Sequence, residues 1–370
     1  MIVPARNLHG FSTGLAAGLV LAVCGAAHAA SPTTAATAAP EVAGDHFEVV
    51  LERPLPADLR FASDVRWASD DAVWVAAGPR GVLEVPLGAG PVRRRLGAGG
   101  EPPDGLLLAA SDGMVAAAVG FGPVSWARTS PPNTTGRSSP LATIVDFDLW
   151  QGRAVFLGAR RGADGTWSPD GGILWTGSLA NDFADVEALM YSESGARAEE
   201  MARCGILGLG AVRFFADGRY AIVPGVQPGA FLYAADGKLL HAWKTESLGF
   251  YDRCDLDWEE ARPVKRDPRA RIRWWRSHST LDEVVPWGEW PALIVRRPRA
   301  DGTSWQLVVL SDGGDGEPID LPISSASTGS HLKADLRGDR LVVLVAEFGP
   351  PDEPPQEPPR LVVLQRAGRR

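Results

Sequence analysis

Apolar stretches along this chain are short, rich in valine and broken every few residues by polar turns. Val65-Arg66-Trp67 and Ala72-Val73-Trp74-Val75-Ala76 flank Ser69-Asp70-Asp71, Gly81 to Leu87 follows, and Val92 to Leu96 adds an outer strand. Such lengths and such punctuation predict β-strands joined by tight turns. Asp-Gly recurs at positions 104, 112, 164, 170, 217, 236, 301, 312 and 315. Asp tolerates the left-handed region and Gly has no Cβ to clash, so the dipeptide suits hairpins. Val186 to Met201 is a local helix candidate, although Ser192 to Gly195 within it favours a turn.

Aligned second strands give a crude period. Val73, Val115, Val155, Ile222, Leu293 and Val342 are separated by 42, 40, 67, 71 and 49 residues. Antiparallel blades of about 40–50 residues, some carrying loop insertions, produce this spacing. The units run 58–98, 105–142, 143–183, 188–247, 249–323 and 328–368. The best internal match joins Phe215 to Val223 with Phe231 to Leu240. One four-stranded unit cannot cover both of its faces, whereas radial stacking of six lets neighbours cover them.

Phe214-Phe215-Ala216-Asp217-Gly218-Arg219, followed by Tyr220-Ala221-Ile222, resembles the blade signature of six-bladed β-propellers of the NHL or TolB-like kind. The Gly-His and Trp-Asp pairing of WD repeats is absent. The resemblance implies an all-β fold, a single propeller of six four-stranded blades. It also implies closure by an N-terminal strand, for which Phe47 to Glu52 is the candidate, pairing near Leu361-Val362-Val363-Leu364.

The N-terminus reads as an address. Residues 1–29 combine Arg6, an apolar run from Phe11 to Ala27 and an Ala27-His28-Ala29 cleavage pattern, as in a secretory signal peptide. Cys24 follows Leu21-Ala22-Val23, which begins like the acylation motif of outer-membrane lipoproteins, but with Val23 where a small residue belongs. Residues 30–44 read as a flexible leader and 45–370 as the propeller, with an insertion at about 251–290. No later run is long and apolar enough to span a bilayer. Export makes a secreted or periplasmic location the expectation, and in an oxidising compartment Cys204 and Cys254 invite a disulfide. The formal charge of −8, with four lysines against 33 arginines, argues against a general nucleic-acid binder.

Candidate chemistry concentrates in two excursions, Gly122 to Pro140 and Tyr251 to Trp290. The second carries Trp258, Trp274, Trp275, His278, Trp287 and Trp290, which could offer flat faces to a peptide, glycan or aromatic group. Alternation places Arg271, Arg273 and Trp275 on one strand face of this insert. For catalysis, Ser277-His278-Ser279 followed by Asp282 brings serine, imidazole and carboxylate close in sequence, without a nucleophile elbow. Asp146 with Asp148, and Asp255 with Asp257, each alternate onto one strand face and offer oxygens to a hard cation such as calcium or to acid–base work. No other cofactor is expected. The leading expectation is an exported binding module for a peptide, glycan or envelope-protein partner. The alternatives are a secreted carboxylate- or calcium-dependent hydrolase, lyase or lactonase-like enzyme, and a structural part of an envelope complex.

Overall fold

The described strands form six antiparallel sheets, five of four strands and one of five. The computed structural model describes residues 46–96, 106–111, 113–120, 122–129, 135–138, 140–167, 171–191, 196–207, 209–347, 355 and 357–367. The segments read above as signal peptide and leader, Asn133 of the first excursion and most of the Pro-rich stretch after Glu347 lie outside them.

After β1 (Phe47–Pro54), blade 1 comprises β2 (Asp64–Trp67), β3 (Ala72–Ala76), β4 (Val82–Pro86) and β5 (Arg93–Leu96). Blade 2 is β6 (Leu106–Ser111), β7 (Met114–Val119), β8 (Val124–Arg128) and β9 (Thr135–Ser138). Blade 3 is β10 (Thr143–Trp150), β11 (Arg153–Ala159), β12 (Gly172–Ser178) and β13 (Val186–Tyr191). Helix α1 (Ala196–Cys204) leads into blade 4, which is β14 (Ala211–Phe214), β15 (Tyr220–Val223), β16 (Ala230–Tyr233) and β17 (Leu239–Trp243). Helices α2 (Trp258–Arg266) and α3 (Pro268–Ser277) precede blade 5, which is β18 (Thr280–Trp287), β19 (Trp290–Arg299), β20 (Gly302–Ser311), the two-residue β21 (Gly314–Asp315) and β22 (Ile319–Ser325). Blade 6 is β23 (Ser330–Arg337), β24 (Arg340–Glu347) and β25 (Arg360–Arg366), completed by β1. The closure follows the sequence expectation, with Val49 opposite Leu364, Leu51 opposite Val363 and Glu52 opposite Val362.

All six aligned positions, Val73 through Val342, fall in second strands. The unit boundaries need one correction. Residues 186–191 form the outer strand of blade 3 rather than the start of blade 4, and the helix begins only at Ala196. Val186 pairs with Gly177 and Ala188 with Trp175, so an open sheet edge captures a segment whose own pattern was ambiguous. The Gly122 to Pro140 excursion likewise contains β8 and β9, and Trp126 is buried in the layer between blades 2 and 3.

The core is distributed between the blades. Separate buried clusters join blades 1 and 2, 2 and 3, 3 and 4, 4 and 5, 5 and 6, and 6 and 1. Consecutive inner strands touch around the whole ring. No blade is covered without its neighbours, and β1 completes the sheet of the last one.

The blade 5 insertion folds into helices, where alternation suggested a strand. Ile272 and Trp275, three residues apart, are buried while Arg273 and Arg276 are exposed, the spacing of one helix face. Local signals explain the boundaries. Asp257 accepts from the Glu259 and Glu260 backbone N–H groups, and Glu260 accepts from the Asp257 N–H, a reciprocal cap on α2. Asp267 then caps α3, with Pro268 in its first turn. The helices pack onto α1 and the blade 3–4 edge through Ala198, Met201, Leu207, Val264 and their neighbours. Trp275 Nε1 donates to the Leu207 carbonyl and Lys265 Nζ to that of Ala202. The Cys204–Cys254 disulfide, with Cα atoms 5.9 Å apart, ties the two inserts together. We call this assembly the helical cap. It lies where chains enter the inner strands, opposite the hairpins that join each inner strand to the second.

Candidate functional site: the charged axis and its mouth

An inner strand of a propeller has only one sheet neighbour, so its other edge carries N–H groups in need of acceptors. Carboxylates of the preceding blade supply them. Asp64 Oδ2 accepts from the Leu108 N–H at 2.8 Å, Asp146 from Val212 at 2.9 Å, Asp148 from Phe214 at 2.8 Å, Asp282 from Leu332 at 2.8 Å, and Asp335 from Trp67 at 2.8 Å. Four blade-to-blade junctions are stapled in this way. Between blades 2 and 3 the Ile144 N–H donates to the Gly120 carbonyl instead. Between blades 4 and 5 an ion pair serves, with Arg213 Nη2 donating to Glu283 Oε2 at 2.6 Å. Indole N–H groups add further links, Trp67 to the Asp335 carbonyl, Trp150 to that of Ala216 and Trp243 to that of Ser311.

These groups form one buried network along the axis. Arg66 Nη1 donates to Asp64 Oδ1 at 2.7 Å and to its neighbour's carbonyl on Val65, and stands 3.7 Å from Glu283 Oε2. Arg213 Nη1 reaches Asp146 at 2.9 Å. Lys333 Nζ lies 3.9 Å from Glu283 and donates to the Asp282 carbonyl. Glu283 is thus shared by three cations. Burial pushes its carboxyl up, but Arg213, Lys333 and Arg66 together outweigh burial and hold it below the ordinary range. Burial would lower Arg213, yet Asp146, Glu283, Asp148 and Asp64 keep it firmly charged. Asp64 and Asp335 are pushed up, by burial first. Asp148 and Asp282, also desolvated, are each pushed up to about 6.

The last pair has a consequence for stability. A carboxyl raised from 3.8 to about 6 in the folded chain binds more protons there than when unfolded, between those two values. Stability contributed by its protonated form is therefore lost as pH rises from about 4 through 6. At about 1.4 kcal/mol per pKa unit the loss is on the order of 3 kcal/mol for Asp148. Asp148→Asn keeps an acceptor for Phe214 and removes the titration. Urea unfolding at pH 4.5 and 7 should show the variant gaining on the wild type at the higher pH, and an unchanged difference between the two pH values would contradict the assignment.

At the hairpin end the axis opens into a recess of about 460 Å³. Arg66, Asp148, Arg213 and Asp335 lie at its charged side, and Trp150, Phe214, Phe215 and Leu336 supply apolar wall. Its rim is formed by turns, among them Ala216-Asp217-Gly218 of blade 4. Gly218 is needed there. Its φ is +85°, and a Cβ would lie 2.6 Å from the Trp150 ring.

The tryptophans of the insertion do not converge. Trp258 is 38% exposed at the start of α2, its Nε1 donates to Glu199 at 2.8 Å, and Lys265 and Arg203 approach its ring at 5.4 and 6.0 Å. Trp274 stacks on His278 with Tyr251 edge-on to both. Trp275 is buried beneath the cap, and Trp287 is buried against Phe47 in the layer between blades 5 and 6. Trp290 packs against His241 and Trp243 of blade 4, away from the cap helices in the fold.

The Ser-His-Asp sequence proximity does not become a triad. Ser277 Oγ lies 3.0 Å from His278 Nδ1, but both also meet the Trp274 carbonyl, at 2.8 and 2.7 Å. Asp282 is turned to Trp305 Nε1 and the Leu332 N–H instead. Asp255 and Asp257 are not on a strand. Asp255 accepts from the Tyr251 hydroxyl and Asp257 caps α2. Asp146 and Asp148 do share a strand face, as stapling acceptors for blade 4. Among the described residues no group of three or more His, Cys, Asp and Glu side chains has a metal-holding arrangement, and no helix is long and apolar enough to cross a membrane.

The axis and the staples were not found from sequence. Their signal was an ionisable residue inside a short buried inner strand, as in Asp64-Val65-Arg66-Trp67, Asp146-Phe147-Asp148 and Val212-Arg213-Phe214. Repetition of that anomaly in the inner strands of every blade but the second, whose β6 reads Leu-Leu-Leu-Ala-Ala-Ser, marks the residues facing the axis.

Fold and axis together define the molecule as a six-bladed β-propeller. No protein-family model matches the chain, and no curated protein matches its sequence. Among solved structures, the chain is similar to a member of the DUF4221 family from Bacteroides vulgatus, with 9% identity and a TM-score of 0.49 over 87% of this chain and 98% of that one. It is similar to U3-55K, with 11% identity and a TM-score of 0.49 over 85% and 98%. The WD40 repeats of RRP9 give 10% identity and a TM-score of 0.47 over 87% and 100%.

Proposed function

We propose that the protein is an exported binding module that holds a peptide segment of a partner at the hairpin end of its propeller. The observation that carries this is the contrast between the axial acids and the recess above them. The acids are committed to neighbouring blades, to backbone N–H groups and to arginines, which leaves a structural role as their principal work. The recess is bordered by rigid turns and mixes ring faces with charge, the makeup of a recognition site. The disulfide between the inserts supports export, since such bonds persist in oxidising compartments.

A second reading places the contact on the cap, favoured by exposed Trp258 with two cations beside its ring. Panning a random peptide-display library against the full chain separates the readings. Selected peptides should lose at least about tenfold in affinity on Ala216→Trp, which fills the exposed rim of the recess, and change less than about twofold on Trp258→Ala. The reverse pattern transfers the site to the cap. Failure to select any peptide, with retention on a glycan array, would overturn the peptide assignment in favour of a carbohydrate.

A further inference from the structure

The guanidinium of Arg66 is only half used. Its side chain is 3% exposed, and all its protein hydrogen bonds are made through Nη1. Nε and Nη2 are buried and have no hydrogen-bond partner. These two nitrogens form one edge of the planar guanidinium, the edge whose parallel N–H groups match the two oxygens of a carboxylate. Buried donors without partners are costly and rare. Here they belong to a residue that lines an open recess. Arg213, which also lines it, has its Nε buried and unpartnered, while Nη1 and Nη2 are held by Asp146 and Glu283.

We infer that the mouth of the axis is a carboxylate-binding site, in which the Arg66 side chain shifts to bring its buried Nε–Nη2 edge to both oxygens of the ligand and Phe214, Phe215 and Trp150 border its apolar remainder. This rests on the hairpin-end reading above and gives that site its chemistry. A volume of about 460 Å³ suits a small aromatic acid or the end residue of a peptide. The carboxylate could come from a chain terminus or from an Asp or Glu side chain, since both present the same two oxygens.

The surrounding charges set the pH dependence. Along the axis around Arg66 stand Asp64 of its own strand, Asp146 and Asp148 from β10, Arg213 from β14, Asp282 and Glu283 from β18, and Lys333 and Asp335 from β23, with Arg296 of β19 beside Asp282. At the rim, Asp217 and Arg219 pair with each other at 2.7 Å. Fully ionised, the axial set is six carboxylates against four cations, so an added anion is accommodated by protonating a carboxyl. Asp148, at the recess and pushed up by burial to about 6, is the group placed to take the proton. Binding is then linked to proton uptake.

The probe is benzoate, with benzamide as its neutral isostere, titrated calorimetrically into the full chain at pH 8 and pH 6. Benzoate should bind, more tightly at pH 6, with proton uptake seen as a buffer-dependent heat, and benzamide should bind at least about tenfold more weakly. Arg66→Lys keeps the charge and loses the planar edge, and should weaken benzoate about tenfold or more. Should that variant not fold, Ala216→Trp, which leaves the axial charges intact, must abolish the same heat. N-acetyl-phenylalanine and its amide, set against N-acetyl-aspartate amide, distinguish a terminal from a side-chain source. Equal binding of benzoate and benzamide, binding insensitive to Ala216→Trp, or absence of benzoate binding would overturn the carboxylate site. Peptides selected by panning that still require the open rim would in that event leave the hairpin-end reading standing.

Discussion

Glu283→Ala is expected to destabilise the propeller by about 3–5 kcal/mol, the range for removing one partner of a buried ion pair. The side chain is fully buried, and its Oε2 serves Arg213 at 2.6 Å, Arg66 at 3.7 Å and Lys333 at 3.9 Å. Truncation leaves these cations in a low-dielectric axis without their common counter-charge. It also removes the link that stands in for a carboxylate staple between blades 4 and 5. Glu283→Gln should cost less, because an acceptor remains for Arg213. Both are read by urea unfolding at neutral pH. The sign of the pH dependence follows from the depressed carboxyl: its stabilisation is present above the unfolded value and is lost as pH falls through the folded one. An alanine variant within about 1 kcal/mol of the wild type would show that the axis is not held by charge.

Replacing both Cys204 and Cys254 by serine should cost about 3–4 kcal/mol on the chain-entropy estimate for a loop of this length, 50 residues apart in sequence. The effect differs in place from that of Glu283→Ala. Cap helices hold to blades 3 and 4 through Met201, Leu207 and Val264, so loosening begins there. Amide exchange should rise first in α1 to α3, with inner strands such as β10 and β18 still protected. Exchange rising uniformly through all blades would instead make the disulfide a global clamp. The same variant probes the cap reading, since a partner seated on Trp258 would bind it more weakly.

Much of this architecture was legible in the chain. Short valine-rich runs and Asp-Gly turns encode hairpins locally, so the second strands from Val73 to Val342 align in the sequence itself. Closure by Phe47 to Glu52 was implied by the resemblance to propellers whose last blade takes an N-terminal strand, and the pairing of that strand with β25 bears it out. The cysteine pair followed from an expected oxidising compartment and from count. What escaped is non-local. Whether Val186 to Tyr191 is strand or helix is settled by the free edge of β12, which no window of sequence contains. The six aromatic and imidazole candidates of the insertion are close in sequence but divide among the cap, the inter-blade layer and the blade 4–5 edge. The axial site has the opposite character. Arg66, Asp148, Arg213 and Asp335 come from four blades and share a recess only because the ring closes.

The measurement that bears most directly on the hairpin-end account is amide hydrogen exchange of the full chain with and without a peptide selected by panning. Protection is expected in the turn 215–218 of blade 4 and in the equivalent turns about Ser111, Gly288 and Gly338, with α2 and α3 unchanged. Protection confined to α2, α3 and the residues around Trp258, with those turns unaffected, would place the partner on the cap and contradict the account.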